Sequence, residues 1–304
     1  MKVLYQGTDI TGDIQTVKCI VRDCAGRSDS IELEMADAAR WYSWGPKEDD
    51  ILEAVHGSYN SGRMYINQIL PENGRYRLIA SSLPCSARAS GWESFEKRTL
   101  AEISRSCAAS SGMDCSSYGI DMDVTIPYIV RQGEGYAAFL SRLYALEGAV
   151  LKCLNGSYTA IGILYAQALT AYQTVVLEAG QEGALYRRTG TMTRAMTVKT
   201  PYACATAKDD VVADSHPSVV VSSLPAMDDI QAGRWARNRL IDVNRKCECL
   251  QLSTEFNPAL TAMARIDVVG GTDATGQWLV ESVEHDLIHG TSSTVMRRCI
   301  WSVR

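Results

Sequence analysis

The chain has 304 residues, 46% of them apolar, and a formal charge of −5, enough to bury roughly three quarters of its unfolded surface and to divide into two or three domains. Lys and Arg are spread without a basic block, which excludes the electrostatic footprint of a nucleic-acid binder, and no apolar run approaches the roughly 18 residues of a membrane span. The ten cysteines are scattered with no Cys-x-x-Cys pair, and Met1 runs directly into Lys2-Val3-Leu4 without an apolar signal region; the expected setting is a reducing cytosol, with the thiols serving as small core residues.

The amino-terminal residues read as strands. Val3 to Tyr5 is followed by the β-branched run 14–21, then by Ile31, Leu33 and Met35 alternating with Glu32 and Glu34, a period of two that buries one face and wets the other. Next comes Trp41-Tyr42-Ser43-Trp44-Gly45-Pro46. A pair of tryptophans so close together either plugs the end of a β domain or anchors a partner.

Residues 54–69 (AVHGSYNSGRMYINQI) return 214 positions later, without a gap, as 268–283 (VVGGTDATGQWLVESV), with Gly57 on Gly271, Gly62 on Gly276, Met64 on Trp278 and Ile66 on Val280. Each copy reads as strand, glycine-bounded turn and second strand, the glycines supplying positive φ. A return strand is expected after each, at 75–81 and at 294–303. The echo implies two related β units; antiparallel hairpins in general share the same grammar, so chance is the competing reading.

The middle changes period. Thr99-Leu100-Ala101-Glu102 matches a capping box, Leu100, Ile103 and Cys107 follow on one face, and Gly112 stands where a C-terminal cap belongs. A second helix is expected over 134–147, with Tyr136, Phe139, Leu140, Leu143 and Leu146 on one stripe. Asn155-Gly156 then marks a hairpin between 150–154 and 157–161. Residues 164–221 are polar and β-leaning. A third helix is expected over 227–244, introduced by Pro225 and the acidic Asp228 and Asp229, with Ile230, Gly233, Ala236, Leu240 and Val243 as its apolar side.

Little of this carries chemistry. His285 and His289 have four-residue spacing, but along a strand that separates them by about 13 Å, too far for one metal with bonds near 2 Å unless the chain turns between them. Cys247 and Cys249 share a strand face without zinc-knuckle spacing. Asp49-Asp50 and Asp209-Asp210 sit in turn-like sequence and read as solvated loops. No phosphate-cradling loop, nucleophile elbow or dinucleotide fingerprint is present. No catalytic, cofactor or metal residue is assigned, and the chain is not expected to be an enzyme.

The order of these signals resembles the late-control D family, the baseplate hub of contractile phage tails, related to the hub portion of type VI secretion spikes and to hubs of phage-tail-like bacteriocins. The resemblance rests on Trp44-Gly45-Pro46 with Asp50-Ile51, Ser61-Gly62-Arg63-Met64-Tyr65-Ile66, Tyr76 to Pro84, Trp92-Glu93-Ser94-Phe95, Leu100-Ala101-Glu102-Ile103, Phe139-Leu140 with Glu147-Gly148-Ala149, and Gly276-Gln277-Trp278-Leu279-Val280 ending at His285. It implies a β-rich α+β fold with two barrel-like β domains and an inserted small α/β domain. The expected division is 1–86 for the first β domain, 87–162 for the α/β domain and 163–304 for the second. That last domain is expected to hold a helix near 227–244 and an insertion of undefined bounds within 180–225.

The resemblance further implies a homotrimer, incorporated into a virion tail or phage-tail-like particle as a symmetry adaptor between a sixfold tail tube and a threefold spike. Its partners would be itself, a trimeric spike protein, a hexameric tail tube protein, baseplate wedge proteins and the tape-measure protein, with no membrane and no sequence-specific nucleic acid. Candidate structural or interface residues are Trp41, Trp44, Gly57, Gly62, Met64, Gly271, Gly276 and Trp278. The chain ends at Arg304, directly after the second β unit, so the spike is expected to be a separate protein and no peptidoglycan-cutting domain is expected. The competing readings are a host-surface or glycan-binding β module using the Trp41 to Trp44 loop, and an enzyme using Cys247, Cys249 or His285.

Overall fold

A computed structural model describes residues 1–36, 45–72 and 74–304. The first β unit runs β1 (Lys2–Tyr5), β2 (Thr8–Asp9), β3 (Thr16–Cys24), β4 (Ser30–Met35), β5 (Ile51–His56), β6 (Tyr59–Asn60), β7 (Met64–Glu72) and β8 (Arg75–Ser81). Its alternation is the expected one: Ile31, Leu33 and Met35 are buried, while Glu32 and Glu34 on the wet face pair across strands with Lys18, Arg22 and Arg75.

The insert follows, with β9 (Gly91–Thr99), β10 (Asp114–Tyr118), β11 (Thr125–Glu134), β12 (Ala149–Leu154) and β13 (Ser157–Gly162) around helices Leu100–Ser111 and Tyr136–Leu146. The capping box forms in full: Thr99 accepts from the Glu102 amide and the Glu102 carboxylate accepts from the Thr99 amide, and Gly112 closes the helix in the left-handed region at φ 66°. Asn155 and Gly156 both take positive φ in the hairpin turn, as a two-residue type I′ connection needs. The helices bury Ile103, Cys107, Phe139, Leu140, Leu143 and Tyr144 against the insert's strands.

The carboxyl-terminal part runs β14 (Gln173–Val176), β15 (Ala184–Arg188), β16 (Ala195–Lys199), β17 (Cys204–Lys208), β18 (Ser218–Val221), the helix Asp229–Arg245, β19 (Glu248–Glu255), β20 (Arg265–Val269), β21 (Gly276–Asp286) and β22 (Thr291–Arg298). The return strand thus ends at Arg298, five residues short of the expected 303. The sheet β17-β16-β18 and the helix, placed between β15 and β19 in the chain, share a core built on Trp235.

Here the sequence reading needs two corrections. Asp228 caps the helix by accepting from the Gln231 amide, but the buried face carries Ala232, Trp235, Ala236, Leu240 and Ile241, and Ile230 is 76% exposed. Trp235 buries far more area than Ile230 and so sets the rotation. Asp209 is not solvated either; it is fully buried and accepts from Asn244 Nδ2, Ser302 Oγ and the Val211 amide, because its loop docks on the helix and the chain end.

The fold is β-rich α+β. A long sheet follows the order β15-β19-β22-β21-β3-β4-β8-β7-β5-β1-β2, with β6, β20 and β14 attached off this path. Among the described residues the path is open and no sheet closes on itself.

The repeated hairpins agree strand by strand. Ile51 opposes Tyr65 and Leu52 opposes Met64; 214 positions on, Arg265 opposes Leu279 and Ile266 opposes Trp278. Asp49 and Met263, the equivalent residues before each hairpin, both adopt positive φ and both donate their amides to the carbonyl of Ile66 or its counterpart Val280. Each long strand carries a bulge at the same place, Asn67 in β7 and Glu281 in β21. The correspondence extends outward: the row Val21, Ile31, Ala80, Ile66 matches the row Tyr186, Leu250, Met296, Val280. Thus β3, β4, β8, β7, β5 of the first unit correspond to β15, β19, β22, β21, β20 of the second. Register is fixed by side-chain period and turn chemistry, so agreement over five strands and a bulge is not the generic hairpin grammar.

Candidate assembly interface

The two units meet edge to edge. The first half of β21 pairs with β20; beyond the bulge its second half pairs with β3, Ser282 opposing Cys24, Val283 opposing Asp23, Glu284 opposing Arg22, His285 opposing Val21 and Asp286 opposing Ile20. The amides of Ala25 and Leu287 extend the ladder at its two ends, onto the carbonyls of Glu281 and Cys19. On the outer face Arg22 Nε lies 2.7 Å from Glu284. The bulge re-aims the strand from one neighbour to another, which is its usual use.

Beside the joint, Lys152 of the insert is held between two carboxylates of the first unit, 2.5 Å from Asp23 and 2.6 Å from Asp29. Asp23 also accepts from Thr261 Oγ1 and the Ala262 amide of the second unit, and Asp29 accepts from the Cys24 amide. Three parts of the chain therefore converge on one buried ion cluster. Burial pushes the Asp29 carboxyl up to about 6 against the pull of Lys152. For Lys152 burial acts downward, but Asp29 and Asp23 outweigh it and hold its pKa above the ordinary value. Next to this cluster His285 and Tyr59 stack edge to face, 4.9 Å apart, with Phe256 contacting both and His56.

The candidate residues of the sequence fall into three groups. Met64 and Trp278 are buried at equivalent positions of the two cores, Trp278 donating from Nε1 to the Ala274 carbonyl. Gly57, Gly62, Gly271 and Gly276 bound the turns; Gly62, at φ 73°, lies against Leu154 and Asn155 of the insert, whose Oδ1 accepts from the Arg63 amide. Trp41 and Trp44 lie outside the described residues. Sequence reasoning missed Lys152, Asp23 and Asp29, whose partners are more than 120 residues apart, and also the bulges, for which two offset strands give no local signal.

The residues considered for chemistry are dispersed. The chain does turn after Asp286, yet His285 is buried in the joint, with its pKa lowered by burial, while His289 is exposed and bonded to Asp286. Among the described residues no group of three or more His, Cys, Asp or Glu is placed to hold a metal. All ten cysteines are free, and burial pushes Cys19, Cys107, Cys153 and Cys299 up to about 12, opposite to the lowering that activates a thiol. Among the described residues no helix is long and apolar enough to cross a membrane.

No protein-family model matches the chain, and no curated protein matches it. Solved structures do. A 43 kDa tail protein of prophage MuSo2 from Shewanella oneidensis has a TM-score of 0.74 at 13% identity, with 98% of each chain covered. A tail protein from Neisseria meningitidis gives 0.74 at 13%, covering 99% of this chain and 97% of that one. A type VI secretion component of Escherichia coli, described as similar to bacteriophage T4 tail proteins, gives 0.62 at 12%, covering 99% of this chain and 77% of that one. The chain is similar in fold to these proteins over nearly its full length.

Proposed function

We propose that this protein is the structural baseplate hub of a contractile phage tail or phage-tail-like injection particle, a homotrimer that joins a sixfold tail tube to a threefold spike. The observation that carries this is the internal repeat: two β units with the same strand order, register and bulge in one chain. Three copies supply six near-equivalent units to a sixfold ring while remaining threefold as chains, which is what a symmetry adaptor requires. The likeness in fold to phage tail proteins and a type VI secretion component supports the same reading.

Under this proposal the chain divides into barrel-like β domains at 1–86 and 163–304 and an α/β domain at 87–162, as in the late-control D family. Its partners are the spike, tube, wedge and tape-measure proteins. Its work is mechanical, passing contraction thrust through β ladders and the ion cluster at Lys152, with no catalytic step. Electron-microscopic class averages of the chain with its candidate spike test the proposal: end views with six equivalent lobes support it, and views with no threefold or sixfold symmetry overturn it.

A further inference from the structure

The repeat leaves one half of a joint unused in each β unit. Inside the chain, β21 beyond its bulge pairs with β3. The equivalent half of β7 is Gln68 to Glu72, and the equivalent of β3 is β15. Among the described residues no strand pairs with the outer edge of β15 or with the side of Gln68 to Glu72 away from β8.

Resting on the hub reading, we propose that these two edges meet between copies: Gln68 to Glu72 of one chain pairs antiparallel with β15 of a second copy in the register of the internal joint. Gln68 then opposes Thr189, Ile69 opposes Arg188, Leu70 opposes Arg187, Pro71 opposes Tyr186 and Glu72 opposes Leu185. The contact is head to tail, donor edge on one copy and acceptor edge on the next. Such a contact propagates until the rotation closes a ring. The internal joint is a worked example of the same contact, already formed.

The backbone is poised for it. Leu287 donates to Cys19 and the Cys24 amide turns toward Asp29, so alternation directs Val283, His285, Asp23 and Val21 into the internal joint. Their equivalents Ile69, Pro71, Arg188 and Tyr186 therefore face the open edges. Ile69 and Arg188 exchange both ladder bonds. Pro71 has no amide hydrogen, so it only accepts, from Tyr186. A proline on an open edge also guards against indiscriminate pairing, which leaves register to the side chains. On the outer face Glu72 sits diagonal to Arg187, within reach of a long side chain. The Arg22 to Glu284 ion pair has no counterpart, because Leu70 stands where Glu284 does.

Two cysteines test the register. In a Cys204→Ser background, which removes the exposed thiol, Leu70→Cys together with Arg187→Cys should give covalent multimers on mild oxidation, since directly opposed residues lie within disulfide range. Each single variant should not, nor should Leu70→Cys with Arg188→Cys, whose side chains point to opposite faces. Leu70→Glu should supply the missing ion pair and tighten self-association about two- to fivefold, the range for exposed pairs. An oligomer by mass without the cross-link overturns the edge pairing and leaves the trimeric hub standing. A chain monomeric both alone and with its spike overturns both. Slowed exchange of the Tyr186 and Arg188 amides in the wild-type oligomer, relative to dilute monomer, is the expected independent sign; unprotected amides contradict the pairing.

Discussion

At the scale of single residues, the buried cluster of Lys152, Asp23 and Asp29 governs how the parts of the chain hold together. Removing one partner of a buried pair leaves an uncompensated charge, so Lys152→Met should cost about 3–5 kcal/mol, read as a shift of the urea midpoint at unchanged slope. The pH dependence has a definite sign. Burial raises the folded-state pKa of Asp29 to about 6, above its ordinary value, so its contribution is fully present below about pH 4 and is lost as pH rises through 6. The advantage of the wild type over Asp29→Asn should therefore shrink between pH 4.5 and 7.5, by about 2 kcal/mol. Denaturant titrations at the two pH values measure it, and a difference that grows with pH contradicts the assignment. His285 acts in the opposite sense: burial lowers its pKa, so its contribution is present above the ordinary imidazole value and lost as pH falls. Comparing variants at one site separates the two.

Elements differ in how far their cause is local. The helix Leu100–Ser111 begins where its capping box lies in the sequence, and Thr99→Ala should destabilise the insert by about 1 kcal/mol, measurable by thermal or urea unfolding. Gly62 is a different case. Its positive φ and its closeness to Asn155 mean that Gly62→Val forces both backbone strain and a clash with the insert's hairpin, an expected loss of about 1–3 kcal/mol. Turns, caps and period-two strands were legible because each depends on neighbours within a few residues. The rotation of the helix Asp229–Arg245 was not, because Ile230 and Trp235 compete for a core formed by β16 and β17 and only the packing decides. Asp209 was misread for the same reason: a pair of aspartates looks like a solvated turn until Asn244 and Ser302, far along the chain, supply its hydrogen bonds. The Lys152 cluster has no signature at all in a linear reading.

At the scale of the whole molecule, the 214-position echo was visible in sixteen residues, whereas the repeat spans five strands per unit. The outer strands kept their order and register but not their letters: Val21 corresponds to Tyr186, and Ala80 to Met296. Packing at each site tolerates exchange of size with its neighbours, so topology outlasts sequence and only the glycine-bounded turn kept a readable trace. The central claim is that the repeat serves threefold assembly. Light scattering of the purified chain, alone and with its candidate spike, tests it most directly. The chain mass is 33.3 kDa, so the account predicts a chain assembly near 100 kDa, about three times that mass, with the spike adding its own; a stable monomer or dimer under both conditions would contradict it.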